Sequence, residues 1–140
     1  MRKYAVIDLE TTGPKYESGD RIFQFGCTLI DGDEVIEHVS LNINPEKSIP
    51  FEIQLLTGVT NADVATAPYF DEVAMTIFNL LEDLTLVAHN VGFDGPFIMS
   101  ALKDALGLEL EVPLIDTVQL AQICHPTALS YRLSDLTETL

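Results

Sequence analysis

Three acidic residues stand where the hydropathy pattern leads one to expect core. Residues 3–9 form a short apolar, β-branched run that ends in Asp8-Leu9-Glu10. In a strand, residues i and i+2 share a face, so Asp8 and Glu10 project side by side while Leu9 turns the other way. Further on, a short buried strand at 85–88 (TLVA) runs into His89-Asn90-Val91-Gly92-Phe93-Asp94, which sets an acid at the start of a helix. Each feature alone has a bland explanation. Strand ends are commonly polar, an Asp in a first helical turn suits the macrodipole, and Asn90 can serve only as a cap. The combination points further. A pair of hard divalent cations needs several carboxylate oxygens converging from different elements. Two acids from one strand end and one from a helix beginning beside a neighbouring strand supply them. Two such ions ~3.5–4 Å apart activate a water and stabilise the leaving oxygen in phosphodiester cleavage.

The elements that must position these acids can be read along the chain. After 3–9 comes a turn signal, Thr11-Thr12-Gly13-Pro14, and a polar loop to Asp20. Residues 21–30 and 34–43 are strand-like runs around Asp31-Gly32-Asp33, a strong hairpin signal. Pro45 and Pro50 break the chain. A short helix over 51–56 stops at Gly58, and Asn61 caps another turn through Ala65. Residues 70–84 carry Val73, Ile77, Leu80, Leu81 and Leu84 on one stripe, an amphipathic helix. After the 85–88 strand, 93–106 has a helical pattern with Gly107 fitting its C-cap. A strand over 112–115 ends at Asp116-Thr117, a helix runs from 118 to about 124 before Pro126, and another starts at 133. Early antiparallel strands followed by helix–strand alternation predict an α/β fold, a mixed sheet flanked by helices.

Composition narrows the function. Seven Lys plus Arg against twenty-two Asp plus Glu give a net charge of −15 over 140 residues, one domain's worth of chain. A surface so acidic cannot grip a phosphate backbone by charge alone, because that mode needs Lys and Arg to displace counterions. A DNA-packaging role is thereby excluded. An enzyme that meets nucleic acid through bound metal is not, because the ions invert the local charge. No apolar run approaches the ~20 residues that span a bilayer, and the first apolar run is shorter than the ~7–15 residues of a signal peptide core. Cys27 and Cys124 lie far apart with no C-x-x-C pair, as in reduced thiols of a cytoplasmic protein.

Asp8-Leu9-Glu10-Thr11-Thr12-Gly13 resembles the first motif of the DEDD (DnaQ-like) 3′–5′ exonucleases, a ribonuclease-H-like family that includes the proofreading subunit of bacterial replicative polymerase. His89-Asn90-Val91-Gly92-Phe93-Asp94 resembles its second. Leu56-Thr57-Gly58-Val59-Thr60-Asn61 and Ala67-Pro68-Tyr69-Phe70 match family connectors, and Asp116-Thr117 the end of its next core strand. The resemblance implies a ribonuclease-H-like fold and hydrolysis of terminal phosphodiesters of DNA to nucleoside 5′-monophosphates. It implies Asp8, Glu10 and Asp94 as catalytic ligands of two Mg²⁺ or Mn²⁺ ions. Leu9, Thr11, Thr12 and Phe93 would bind the 3′-terminal nucleotide of a single strand, since apolar and aromatic faces suit sequence-tolerant stacking. Asn90 would brace the site. A polymerase or helicase is implied as partner or fused domain.

The likeness stops short of the family's third motif, a general-base His and a fourth Asp five residues apart. His38 lies in a strand run, His89 in the second motif and His125 before Pro126, and no H-x-x-x-x-D follows. Tyr131-Arg132-Leu133-Ser134-Asp135-Leu136 resembles the segment just before that motif, so residues 1–140 are expected to form a single exonuclease-like domain truncated at its C-terminal helix, with weakened activity. Asp135 and Glu138 are poor stand-ins. Two other readings stay open: an RNA-directed exonuclease of the same superfamily, and a non-catalytic module that docks a polymerase or helicase. Cys124-His125, with no second pair, reads as a helix end. Tyr69 and Phe70 read as core or staple residues, and Asp31, Asp33, Glu34, Glu109 and Glu111 as solvated loops. Three carboxylates assigned to cations leave the rest of the −15 to repel a long strand, which suits a nuclease that holds only the last nucleotides.

Overall fold

The sheet is built outward from one strand. In a computed structural model that describes residues 3–88 and 91–117, β1 (Lys3–Thr11) is flanked on both sides. β2 (Ile22–Asp31) pairs with it antiparallel and β3 (Glu34–Asn42) pairs antiparallel with β2. On the other side β4 (Thr85–Ala88) runs parallel to β1, and β5 (Leu114–Asp116) parallel to β4. The order β3-β2-β1-β4-β5 is the mixed sheet that the sequence predicts. Parallel neighbours need crossovers. The first is α1 (Phe51–Thr57), α2 (Asn61–Ala65) and α3 (Phe70–Leu81), and the second is α4 (Val91–Leu106).

Alternation along β1 sends Ala5, Ile7 and Leu9 into the main core. There they meet Ala74, Ile77 and Leu81 of α3, and Phe97, Ile98, Ala101 and Leu102 of α4. Burying such side chains is worth ~1.5–3 kcal/mol each before entropy is counted. The apolar stripe of α3 therefore docks that helix on the same face as α4, and both lie across the central strands.

Local departures from the sequence pattern have local causes. The hairpin turns on Gly32-Asp33 with Gly32 at φ 65°, the position where a two-residue turn needs glycine. α3 stops at Leu81 rather than 84, because Asp83 takes φ 67° and turns the chain into β4. The cap of α2 is Thr60, not Asn61. Thr60 and Asp63 form a reciprocal capping box, while Asn61 Oδ1 accepts from the Ile49 amide at 2.8 Å. β5 begins at Leu114 because Pro113 has no N–H to give, although its carbonyl accepts from Leu86 N at 2.8 Å. The expected loop after Thr12 contains a 3₁₀ turn, Tyr16–Ser18, closed by Gly19 at φ 99°.

Two irregularities shape the sheet. Glu10 pairs with Gln24 but Thr11 with Ile22, so Phe23 is left over as a bulge. Ile22 and Phe25 stay in the main core, while Phe23 drops into a second, smaller cluster with Ile49, Val59 and Val64. That cluster seats α1 and α2. Among the described residues, no helix is long and apolar enough to cross a membrane. Cys27 is a buried free thiol, its pKa pushed up to about 11 by burial and then by Glu37. The helices expected over 118–124 and from 133 lie outside the described residues, as do His89, Asn90, Cys124, His125, Asp135 and Glu138.

Candidate active site

The carboxyl ends of the parallel strands β1 and β4 point the same way. Val6 pairs with Val87, so β4 runs alongside β1 toward the same end of the sheet, and α4 begins at Val91, just after β4. Ligands of open α/β sheets gather outside such strand ends. Asp8 and Glu10 lie on the face of β1 opposite the main core, Asp8 exposed and Glu10 partly buried. Gly26 of β2 lies directly across from Asp8. A Cβ there would come 3.4 Å from the Asp8 carbonyl, so the missing side chain leaves the flank of Asp8 open. Sequence reading passed over Gly26, and a lone Gly inside a strand pattern was the available signal.

Asp94 closes the cluster from the first turn of α4. It is only 7 % exposed. Burial, followed by the charges of Asp8 and Glu10, pushes its pKa up to about 7, against a hydrogen bond from the Leu9 backbone that favours the charged form. Asp8, whose surface is exposed although its carboxyl is partly shielded by its neighbours, is raised by partial desolvation, and Glu10 is raised by desolvation and then by Asp8. The electrostatics and the hydrogen bond together place the three acids in one neighbourhood, although they come from two elements more than eighty residues apart in sequence. Desolvation is the common cause of the three elevations, and mutual charge adds to it at Glu10 and Asp94.

A hard divalent cation is the group such a set suits. Three carboxylates offer oxygen donors only, and a cation would relieve their repulsion. Among the described residues, no group of three or more His, Cys, Asp or Glu is already drawn up to hold a metal ion. The donor chemistry therefore fits, while the ligating geometry is not preformed in that part of the chain. Asp116 stands at the same carboxyl end of the parallel strands, paired with Ala88.

The flanking residues divide. Phe93 is partly buried against the main core and tilts against Phe97 with ring centroids 5.4 Å apart, so part of its face remains open. Leu9 is 5 % exposed and lies in the main core, because the alternation that turns Asp8 and Glu10 outward turns Leu9 inward. Thr11 is nearly buried, with its hydroxyl donating to the Gly13 carbonyl at 2.8 Å. Thr12 is 3 % exposed. Its hydroxyl accepts from the Arg21 amide at 3.0 Å and donates to Asp20 at 3.4 Å. The part played by Asp20 was not visible in the sequence, where it reads as one more loop acid.

Sheet order and acid cluster together define a ribonuclease-H-like exonuclease fold. The RNase_T family, described as Exonuclease, matches residues 5–140, and the chain belongs to that family. It is 39% identical over 140 residues to the 3′-5′ exonuclease DinG of Bacillus subtilis (strain 168), covering 99% of this chain and 15% of that protein. The chain thus spans about 15% of the length of that relative. Two solved structures share the fold. One is exonuclease X in complex with 5′ overhanging duplex DNA, at TM-score 0.77 and 22% identity, covering 97% of this chain and 72% of that one. The other is E. coli exonuclease I in complex with a dT13 oligonucleotide, at TM-score 0.82 and 19% identity, covering 99% and 35%. Exonucleases of this family are in general dependent on divalent metal ions.

Proposed function

We propose that residues 1–140 act as one domain, a metal-dependent 3′–5′ exonuclease that hydrolyses the terminal phosphodiester of single-stranded DNA and releases nucleoside 5′-monophosphates. The observation that carries this reading is the meeting of Asp8, Glu10 and Asp94, with the Asp94 pKa pushed up to about 7 by burial first and then by the charges of the other two. Mg²⁺ or Mn²⁺ ions held by these three carboxylates would lower the pKa of bound water and stabilise the departing oxygen. The chain's own residues supply the rest. Leu9 N–H holds the Asp94 carboxylate in place, Phe93 offers an aromatic face to a terminal base or sugar, and the Thr11–Gly13 turn lies at the end of the strand bearing Asp8 and Glu10. Leu9 itself supports from beneath, and Asn90 is assigned the brace between the second motif and the acids. This chain covers only 15% of the DinG relative, which leaves room there for further domains; a polymerase or helicase, fused or as partner, and a cytoplasmic location complete the proposal.

A 5′-labelled DNA strand incubated with the chain and Mn²⁺ should shorten stepwise from its 3′ end, and should stay intact in EDTA or with Asp8→Ala. A matched RNA strand compares the two substrates. Faster RNA digestion would replace DNA in this reading. No metal-dependent digestion of either strand, with no Mn²⁺ bound, would favour a non-catalytic docking module.

A further inference from the structure

We infer that Asp20 is a positioning residue, a carboxylate clamp that sets where the Thr11–Gly13 turn stands relative to the acids of β1. This rests on the exonuclease reading for what the turn is positioned toward, and on the fold alone for the clamp itself. Asp20 lies ten residues past Glu10 in a loop that would otherwise be free to drift from the strand end. Its Oδ2 accepts from the Lys15 amide at 3.0 Å, and its Oδ1 accepts from the Thr12 hydroxyl at 3.4 Å. Lys47 Nζ lies 3.7 Å from Oδ1 and donates to the Gly19 carbonyl at 3.1 Å. One side chain thereby ties the start of the loop, its end and a third segment together.

Gly13 shows how closely the clamp is drawn. A Cβ on that residue would lie 2.4 Å from Asp20 Oδ2, a separation that real side chains do not reach. The carboxylate occupies the space a side chain at residue 13 would take, so any Cβ there must displace Asp20. The backbone completes the closure, with Thr12 N–H donating to Arg21 O at 2.9 Å and Arg21 N–H donating to Thr12 Oγ1 at 3.0 Å.

The far side of the same loop is fastened to α4. Arg21 lies over the Tyr16 ring at 4.1 Å, and Tyr16 meets Phe97 edge-on at 5.5 Å. The Tyr16 hydroxyl donates to Asp104 at 2.6 Å. Phe97 stands one turn beyond Phe93, against which it tilts. The loop is a strap from the end of β1 to the helix that carries Asp94 and Phe93, and Asp20 is the buckle at its β1 end. Asp8 and Glu10 are held independently, by pairing of β1 within the sheet. Loosening the buckle should move the threonines and leave the acids where they are.

The test uses the full chain and three measurements on Asp20→Ala and Asp20→Asn. Hydrogen exchange should speed at the Lys15 and Arg21 amides in Asp20→Ala while the Leu9 amide stays slow. Mn²⁺ affinity should be unchanged. The Kd for dTMP in Mn²⁺, and KM for a labelled strand, should rise on the order of tenfold with kcat little altered, since tenfold is the scale of one or two lost hydrogen bonds. Asp20→Asn keeps one acceptor and should recover part of both changes. A general loss of folded protein would instead lower kcat at constant KM. Should Asp20→Ala unfold, Gly13→Ala serves in its place, because it forces the same carboxylate away, and the same three readings are expected.

Unchanged exchange at Lys15 and Arg21 overturns the clamp. Faster exchange with unchanged dTMP affinity overturns its role in positioning. A native chain that neither binds Mn²⁺ nor dTMP defeats the exonuclease reading, and the exchange result still decides the clamp.

Discussion

The two apolar clusters of this molecule support very different surfaces. The main core gathers buried side chains from β1, β2, β4, α3 and α4, and the acids stand on strand and helix ends rooted in it. The satellite cluster has four buried members, Phe23, Ile49, Val59 and Val64, and exists because a bulge drops Phe23 out of the main core. The helix seated on it leaves Phe51, Leu55 and Leu56 exposed, Leu56 at 86 %. Desolvating neighbouring carboxylates costs stability, and the three acids stand at the margin of the larger cluster. Strained functional groups are held where the surrounding structure over-determines them.

The sharpest way to break this contrast is at the acids. Asp8→Ala should lower exonuclease rates by more than ~10²-fold, beyond what a merely supporting residue costs, without lowering the melting temperature. A variant that melts earlier yet keeps its activity would assign Asp8 to the framework. Next come the cores. Ile77→Ala and Ile49→Ala make the same deletion in fully buried sites of the two clusters. Such deletions cost ~2–5 kcal/mol depending on how far the site collapses. Ile77→Ala should fall at the upper end and Ile49→Ala at the lower in urea unfolding, and equal costs would abolish the distinction.

Titration gives a third, smaller effect. The pKa of Asp94 is raised from 3.8 to about 7 in the folded chain. Stability from its protonated form is therefore fully present below pH 3.8 and is lost as the pH rises through about 7. In EDTA, wild type should lose melting temperature across that window, and Asp94→Asn should lose much less, becoming the more stable of the two at pH 8. Parallel curves would mean that Asp94 is neither desolvated nor crowded in the folded chain. Smallest of all, Leu55→Ser and Leu56→Ser on the open face of α1 should change stability by under ~0.5 kcal/mol, as surface substitutions do. A larger loss in thermal unfolding would show that this face is packed in solution.

Sequence reading and structure agree best where the signal is local and periodic. The 85–88 strand, the β2–β3 hairpin and the stripe of α3 follow from side-chain periodicity and a glycine in the turn, since short-range sterics decide them. Helix and strand ends moved by a few residues wherever one backbone angle or a missing N–H ruled, as at Asp83 and Pro113. Long-range pairings escaped the sequence altogether. Nothing in the order of residues tells that Phe23 is a bulge, that Thr12 is sealed by Asp20, or that the Asp20 carboxylate fills the space beside Gly13.

The sequence by itself determined that Asp8 and Glu10 would share one face, because a strand repeats every two residues whatever surrounds it. It also determined that Asp94 would open a helix, and that an acidic surface must meet a nucleic acid through something other than lysine and arginine. Only the tertiary structure decided that these acids come near one another. The parallel pairing of β4 with β1 brings α4 to the end of β1, where the Leu9 backbone meets the Asp94 carboxylate. Their altered ionisation follows from desolvation first and, at Glu10 and Asp94, from that meeting, because burial and charge repulsion depend on position in space, which no spacing along the chain contains.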